Sequence, residues 1–162
     1  WRRVFGAFGS VNDIEMMRAA LDEARKAVAS GDIPVGAAIF NAAGDLIATG
    51  HNERELHNDP TAHAEIVAIR KASEKLGDWH LTDYTLVVTL EPCAMCAGAI
   101  AQSRLQTVVF GAWDEKAGAV GSVWDLLRDP RSTFRTEVRA GVLADECSDL
   151  ITSFIQEVRK KD

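Results

Sequence analysis

Leu86-Val87-Val88-Thr89-Leu90-Glu91-Pro92-Cys93-Ala94-Met95-Cys96-Ala97-Gly98-Ala99 is the stretch whose reading decides the fold. Leu86–Leu90 is a near-continuous apolar run of the kind carried by a strand buried on both faces. Pro92 stops that strand and opens a helix, because its fixed φ and missing N–H suit the first helical positions. The small residues that follow predict a helix over Cys93–Ser103, and Thr107–Gly111 predicts the next strand. Strand, helix, strand makes a βαβ unit, so the two strands lie parallel with a right-handed crossover.

Outward from this unit the rest of the chain falls into place. Residues 13–30 read as an amphipathic helix with Met17, Leu21, Ala24 and Val28 at i+3/i+4 spacing. Asn12 and Glu15 resemble a capping box, and Gly31 suits the stop. Val35–Phe40 and Leu46–Thr49 flank Asn41-Ala42-Ala43-Gly44-Asp45 and predict an antiparallel hairpin. Pro60-Thr61 opens a helix over 62–76, with Ile66, Ile69, Ala72 and Leu76 inward. Asp125–Arg128 reads as a short helical turn, Thr136–Val142 as a fifth strand, and Asp145–Lys160 as the last helix, carrying Leu150, Ile151, Phe154, Ile155 and Val158. The sum is a three-layer α/β/α sandwich with a mixed five-stranded sheet. Residues 1–12 read as a leader, and 13–162 as one domain.

Cys93 and Cys96, three apart in a first helical turn, share one face. His63-Ala64-Glu65 sits at the start of the preceding helix. One imidazole and two thiols make three soft ligands for zinc and leave a fourth position open for water. His63 and Glu65 lie about 200° apart around a helix of about 3.6 residues per turn. The metal is therefore expected off the helix end, with Glu65 as proton carrier rather than ligand. Two helix N-termini would converge on one ion, where their N–H groups and dipoles favour thiolates. Water activated beside a carboxylate, attack on an amidine carbon and loss of ammonia amount to hydrolytic deamination, of adenine at C6 or cytosine at C4. A lone C-x-x-C also serves redox or closed structural zinc sites. A closed site needs a fourth ligand; Cys147 reads as a buried thiol, and His51, His57 and His80 as loop residues.

Composition bounds the function. The chain has 162 residues, 47% hydrophobic and 26% charged, with three cysteines. Its size suits one domain with a real core. No apolar run approaches the ~20 residues of a membrane span, and the start shows no signal-peptide h-region. The odd cysteine count and the tight C-x-x-C suit a reducing, cytoplasmic setting. A net charge of −6 argues against broad nucleic-acid binding. Charge is local, however: Arg128, Arg131, Arg135 and Arg139 form one basic edge and Arg159-Lys160-Lys161 another. Each is either a phosphate-binding edge or solvated surface.

Gly31-Asp32-Ile33-Pro34-Val35-Gly36-Ala37, Asn58-Asp59-Pro60-Thr61-Ala62-His63-Ala64-Glu65 and Thr89-Leu90-Glu91-Pro92-Cys93-Ala94-Met95-Cys96-Ala97-Gly98-Ala99 resemble the cytidine-deaminase-like superfamily. Val109-Phe110-Gly111-Ala112-Trp113-Asp114, with Lys116, Gly118-Ala119 and Gly121-Ser122, narrows the resemblance to the bacterial tRNA-specific adenosine deaminases. That resemblance implies Zn²⁺ on His63, Cys93 and Cys96, Glu65 as catalytic proton shuttle, and conversion of adenosine to inosine at the anticodon wobble position. It implies substrate contacts from Asn52, Val35 and Ala64 in the base pocket and from Asp114 and Lys116 near a nucleic-acid groove. It also implies a homodimer acting on the single-stranded anticodon loop of tRNA. Taken alone, Asn52 fits a turn, Val35 a core strand, and Asp114 and Lys116 a plain loop. Trp113 departs from the family pattern, and residues 1–12 have no counterpart in it. The rival readings are a deaminase of a free guanine- or cytosine-type base or nucleoside, a zinc-stabilised RNA-binding module, and a thiol-redox protein.

Overall fold

The computed structural model describes residues 11–162. Residues 1–10 of the expected leader lie outside the described residues; Val11 and Asn12 already belong to the first helix. The elements are α1 (Val11–Arg25), continued by a 3₁₀ turn (Lys26–Ser30), β1 (Gly36–Phe40), β2 (Leu46–His51), α2 (Arg54–His57), α3 (Ala64–Leu76), β3 (Thr85–Leu90), α4 (Ala94–Gln102), β4 (Thr107–Ala112), β5 (Glu137–Ala140) and α5 (Ala144–Arg159).

The sheet runs β2-β1-β3-β4-β5. β1 pairs antiparallel with both β2 and β3, whereas β3, β4 and β5 are parallel. This is the mixed five-stranded sheet expected, with the βαβ unit at its centre. Side-chain alternation divides the strands between two cores. Ala37, Ile39, Leu86, Val88, Val108 and Phe110 face α3 and α4. Ala38, Phe40, Val87 and Val109 face Met16, Met17, Ala20 and Leu21 of α1 and Cys147 of α5. Helices on both faces complete the three layers.

Several local expectations need correction. Tightening of the first helix into a 3₁₀ turn rotates Val28 out to 47% exposure and buries Ala27 in its place. Gly31 ends the segment as expected, at φ 78°, its N–H reaching Ala27 O and Val28 O. Asn12 and Glu15 do not form a capping box at the helix start, since α1 already includes Val11. The innermost stripe of α3 is Ala64, Ala68 and Ala72, with Ile66 and Ile69 only partly buried. Asp125–Arg128 is not helical: Val120 bridges Asp125 and the stretch runs as bends. Val158, near the end of α5, is exposed. α2 lacked any apolar period to announce it. Among the described residues no helix is long and apolar enough to cross a membrane.

The alanine stripe has a partner in Gly50 of β2. A Cβ there would lie 2.6 Å from Ala64 O and 2.6 Å from Ala68 N. Backbone meets backbone, and the first turn of α3 is fixed against the sheet edge. Gly50→Ala should therefore cost about 1–3 kcal/mol by overpacking and push the start of α3 outward. Denaturant melts should show the loss, and a metal-competition titration should show weakened zinc binding.

Candidate zinc site and base pocket

Two helix starts meet at the carboxyl end of β3. His63 occupies the N-cap of α3 with extended backbone, φ −71° and ψ 154°. Cys93 does the same for α4, φ −74° and ψ 176°. Cys96 follows in the first turn of α4 and is fully buried. An extended N-cap aims its side chain past the helix end, so both caps reach one point in space. His63 Nδ1 lies 3.6 Å from Cys93 Sγ and 3.5 Å from Cys96 Sγ. All three donor atoms fall within 4.8 Å of one another. A tetrahedral ion with Zn–N of about 2.0–2.1 Å and Zn–S of about 2.3 Å separates N and S by about 3.6 Å. The residues fit zinc.

The charges fit as well. Cys96 donates to Cys93, and this together with His63 and the Cys96 backbone N–H holds the Cys93 thiol down at about 3. The same contact with Cys93, then burial, pushes the Cys96 thiol up. By themselves the two sulfurs support one negative charge between them. A dication at their meeting point is what lets both ionise together.

Glu65 is buried in the first turn of α3, 4% exposed, and its carboxyl is pushed up by burial. Among the described residues no fourth histidine, cysteine or carboxylate joins the cluster. Cys147 lies in the opposite core, its thiol pushed up to about 12 by burial. His57 pairs with Glu53 and His80 with Asp78, both far outside the donor group. His51 was expected in a loop; it ends β2 and bonds Glu23.

A cavity of about 230 Å³ opens beside these donors. That is below the roughly 300 Å³ lower end for drug-sized ligands and suits one small ring system. His63, Glu65 and Cys93 form its floor, and Val35, Ala64, Asn52 and Asp114 line its walls. Val35 is both core and wall, 8% exposed. Asn52 is also in a turn: its Nδ2 donates to Ile33 O at 3.3 Å, and its Oδ1 accepts from Arg54 N at 3.4 Å. Both bonds are long. Lys116 does not reach the cavity; it is exposed, and its N–H, like that of Ala117, donates to Asp114 Oδ1.

Three residues that the sequence reading left unassigned shape this cavity. Glu91 is 2% exposed and lines it. Its carboxylate accepts from Asp114 N (3.1 Å), Val120 N (3.0 Å), Ser122 N (3.0 Å) and the Ser122 hydroxyl. Those bonds hold its carboxyl below the usual range despite burial. Gly118 presses so closely on it that no Cβ would fit. The loop after β4 is thus wrapped around one carboxylate. Asp32, 1% exposed, accepts from Glu55 N at 2.7 Å and Leu56 N at 3.2 Å and so ties down α2. Arg54, the first residue of α2, is exposed at the cavity mouth. An acidic side chain closing an apolar strand just before Pro92 was the available signal for Glu91.

The first basic edge looks different in three dimensions. Arg139 clamps Asp13 of α1 through two bonds, 2.7 and 2.9 Å, and also meets Glu137. Arg131 is forked onto Asp129, and Arg128 meets Asp125 through Nε while its Nη2 donates to Val120 O. At the C-terminal edge, Lys160 lies 3.5 Å from Glu157. Arg128, Arg131, Arg139 and Lys160 are thus paired with neighbouring carboxylates.

Residues 10–112 match the family described as the cytidine and deoxycytidylate deaminase zinc-binding region. The tRNA-specific adenosine deaminase of Haemophilus influenzae is 47% identical over 92% of this chain and 86% of its own length. A solved structure from work on A-to-I editing by tRNA:A34 deaminases at the wobble position of transfer RNA superposes with a TM-score of 0.80. It is 40% identical and covers 84% of this chain and 98% of its own. A guanine deaminase from Nitrosomonas europaea shares the fold at TM-score 0.74 but only 27% identity, covering 92% of this chain and 86% of its own. On these similarities, and on donor spacings that fit zinc, the chain belongs to the zinc-binding cytidine and deoxycytidylate deaminase family, in the branch of the tRNA-specific adenosine deaminases.

Proposed function

We propose that the protein converts adenosine to inosine at the wobble position of a tRNA anticodon, as a cytoplasmic homodimer with one zinc per chain. The observation that carries this reading is a cluster of three metal donors, two of which, His63 and Cys93, share a cavity floor with Glu65, a buried carboxyl that is not one of them. His63, Cys93 and Cys96 hold the zinc. Bound there, zinc supplies the Lewis acidity that lets water add to an amidine carbon near neutral pH. Glu65 takes a proton from the attacking water and gives it to the purine ring nitrogen; it then takes the remaining hydroxyl proton of the adduct and delivers it to the amine, which leaves as ammonia while the carbonyl forms. Burial raises its carboxyl above the usual carboxylate range, which favours its holding a proton between the two transfers.

The remaining walls orient the base. Val35 and Ala64 offer apolar contact, and the amide of Asn52 can exchange its long bonds for purine N7. Asp114 sits at the edge of the wall and Lys116 beyond it, facing the flanking nucleotides. A cavity this small takes a base only after it has left its stack, which an anticodon loop allows without melting a duplex. Arg54 stands at the mouth with no ion-pair partner among the described residues, so its guanidinium is available to a phosphate. Exposed Met95, Val123, Trp124 and Leu126 lie on α4 and the loop bridged to it through Cys93 and Gly118; this apolar face suits a second copy. The thiolate ligands suit a reducing cytoplasm.

Glu65→Gln should keep zinc at one per chain while the single-turnover rate falls by roughly 10²-fold or more. Metal analysis and inosine sequencing of a transcribed tRNA bearing a wobble A would read this. Turnover of guanine, cytosine or nucleosides, with none on tRNA, would favour the rival free-base deaminase. Arg54→Ala should weaken binding of all substrate tRNAs and reduce the salt slope of log K by about 1. Arg131→Ala, which removes a cation already neutralised by Asp129, should leave both unchanged. Binding isotherms across a salt series would check the pair.

A further inference from the structure

The segment leaving β2 is arranged in alternation. Asn52 and Arg54 line the cavity, whereas His51 and Glu53 do not and meet each other at 3.7 Å behind it. His51 Nδ1 lies 2.8 Å from Glu23 Oε1 in α1, with side chains only 16% and 6% exposed. Burial works against ionisation of Glu23, but the bonds from His51 and Lys26 outweigh it and hold its carboxyl below the usual range. Glu23 is therefore the acceptor and His51 Nδ1–H the donor. Lys26 Nζ, 2.9 Å away, takes the other Glu23 oxygen, and His57 Nε2 meets Glu53 at 3.2 Å.

This bond stands one residue before Asn52, at the end of an edge strand. Among the described residues the side chain of Asn52 is steadied by two long bonds, at 3.3 and 3.4 Å. The backbone there is held by Asn52 N–H on Val35 O (3.1 Å) and Glu53 N–H on Ala62 O (2.9 Å), and the short tie from His51 to Glu23 braces the same segment against α1. Asp32 anchors the far end of the same segment through Glu55 and Leu56.

We infer that His51, clamped to Glu23, is a positioning residue that aims the Asn52 amide at the base. The inference rests on the reading of Asn52 as a base-contacting side chain. The test is steady-state kinetics on a tRNA stem-loop with a wobble A, using His51→Ala, His51→Asn, Asn52→Ala and the His51→Ala/Asn52→Ala double variant, with zinc content as the folding check. His51→Ala is expected to raise KM roughly tenfold, equivalent to about 1.4 kcal/mol, with kcat within about twofold. His51→Asn should recover most of the loss, because its amide nitrogen occupies the place of Nδ1. The double variant should be no worse than Asn52→Ala, since one acts through the other. Multiplying effects, no rescue by Asn, or a normal KM in His51→Ala beside a raised one in Asn52→Ala would overturn the inference and leave the Asn52 reading intact. A normal KM in Asn52→Ala would overturn both. Should His51→Ala fail to fold, Glu23→Ala and Glu23→Ala/Asn52→Ala are compared in its place: a raised KM in the single variant with no further rise in the double is expected, and a normal KM in the single or multiplying effects would overturn the inference.

Discussion

The meeting of two helix N-caps at one point governs this molecule. His63 and Cys93 each stand at the first non-helical residue before a helix, with ψ near extended values. A cap in that conformation leaves the first-turn N–H groups of its helix pointing at whatever the side chain holds. Thiolates placed there are met by positive dipole ends from both sides. The topology makes the meeting possible. α4 follows β3, while α3 follows β2 through α2, and the two helices can start at the same end of the sheet because β2 and β3, each antiparallel to the β1 strand between them, point the same way. A change of strand direction would carry one ligand to the other end of the molecule.

Around that centre, buried carboxylates do for loops what helices do for themselves. Glu91 gathers three backbone N–H groups and a hydroxyl; Asp32 gathers two N–H groups; Asp13 is clamped by Arg139. Where such an N–H is buried, as at Val120, leaving it unpaired would cost about 1–3 kcal/mol. The cavity walls are irregular backbone, and irregular backbone is rigid only where such acceptors exist. The loop after β4 can carry Asp114 and expose Trp113 because Glu91 fixes its interior. Aromatic packing of Trp113 edge-on to Phe110, with centroids 4.9 Å apart, anchors the loop to the core as well.

How much of this was legible in the sequence follows from the range of each interaction. The strands, the βαβ unit, Gly31 and the zinc ligands depend on local pattern or on residue types with few other uses, and they stand where the pattern put them. The inward face of α3 was legible in part: Ala72, Ile69 and Leu76 meet the core, but Ala64 and Ala68 were missed because alanine is a weak signal that gains meaning only from Gly50 across the gap. Val28 and the stretch at Asp125–Arg128 failed where one helical form replaced another or a bridge replaced a helix. Glu91, Asp32 and the His51–Glu23 bond are long-range partnerships of acids with backbone or imidazole. No spacing along the chain announces them. The arginine edge holds partnerships of the same kind: Asp125, Asp129 and Asp13 pair with Arg128, Arg131 and Arg139, the last across most of the chain.

That last point bears on how an acidic protein can serve an RNA substrate. A net charge of −6 would repel a duplex docking over a broad face. Here Arg128, Arg131, Arg139 and Lys160 are paired with carboxylates in place, which weakens the general pull of that surface. What remains is local: a guanidinium at the mouth, two helix ends beneath it, and a cavity sized for one base. Low-dielectric walls focus the field of those few groups inside the cleft rather than across the surface. Selectivity then depends on shape and on whether a base can leave its stack, and only weakly on total charge. A single-stranded loop meets that condition and a helical stem does not. The acidic exterior is consistent with the activity because attraction for a nucleotide can be concentrated in the cleft.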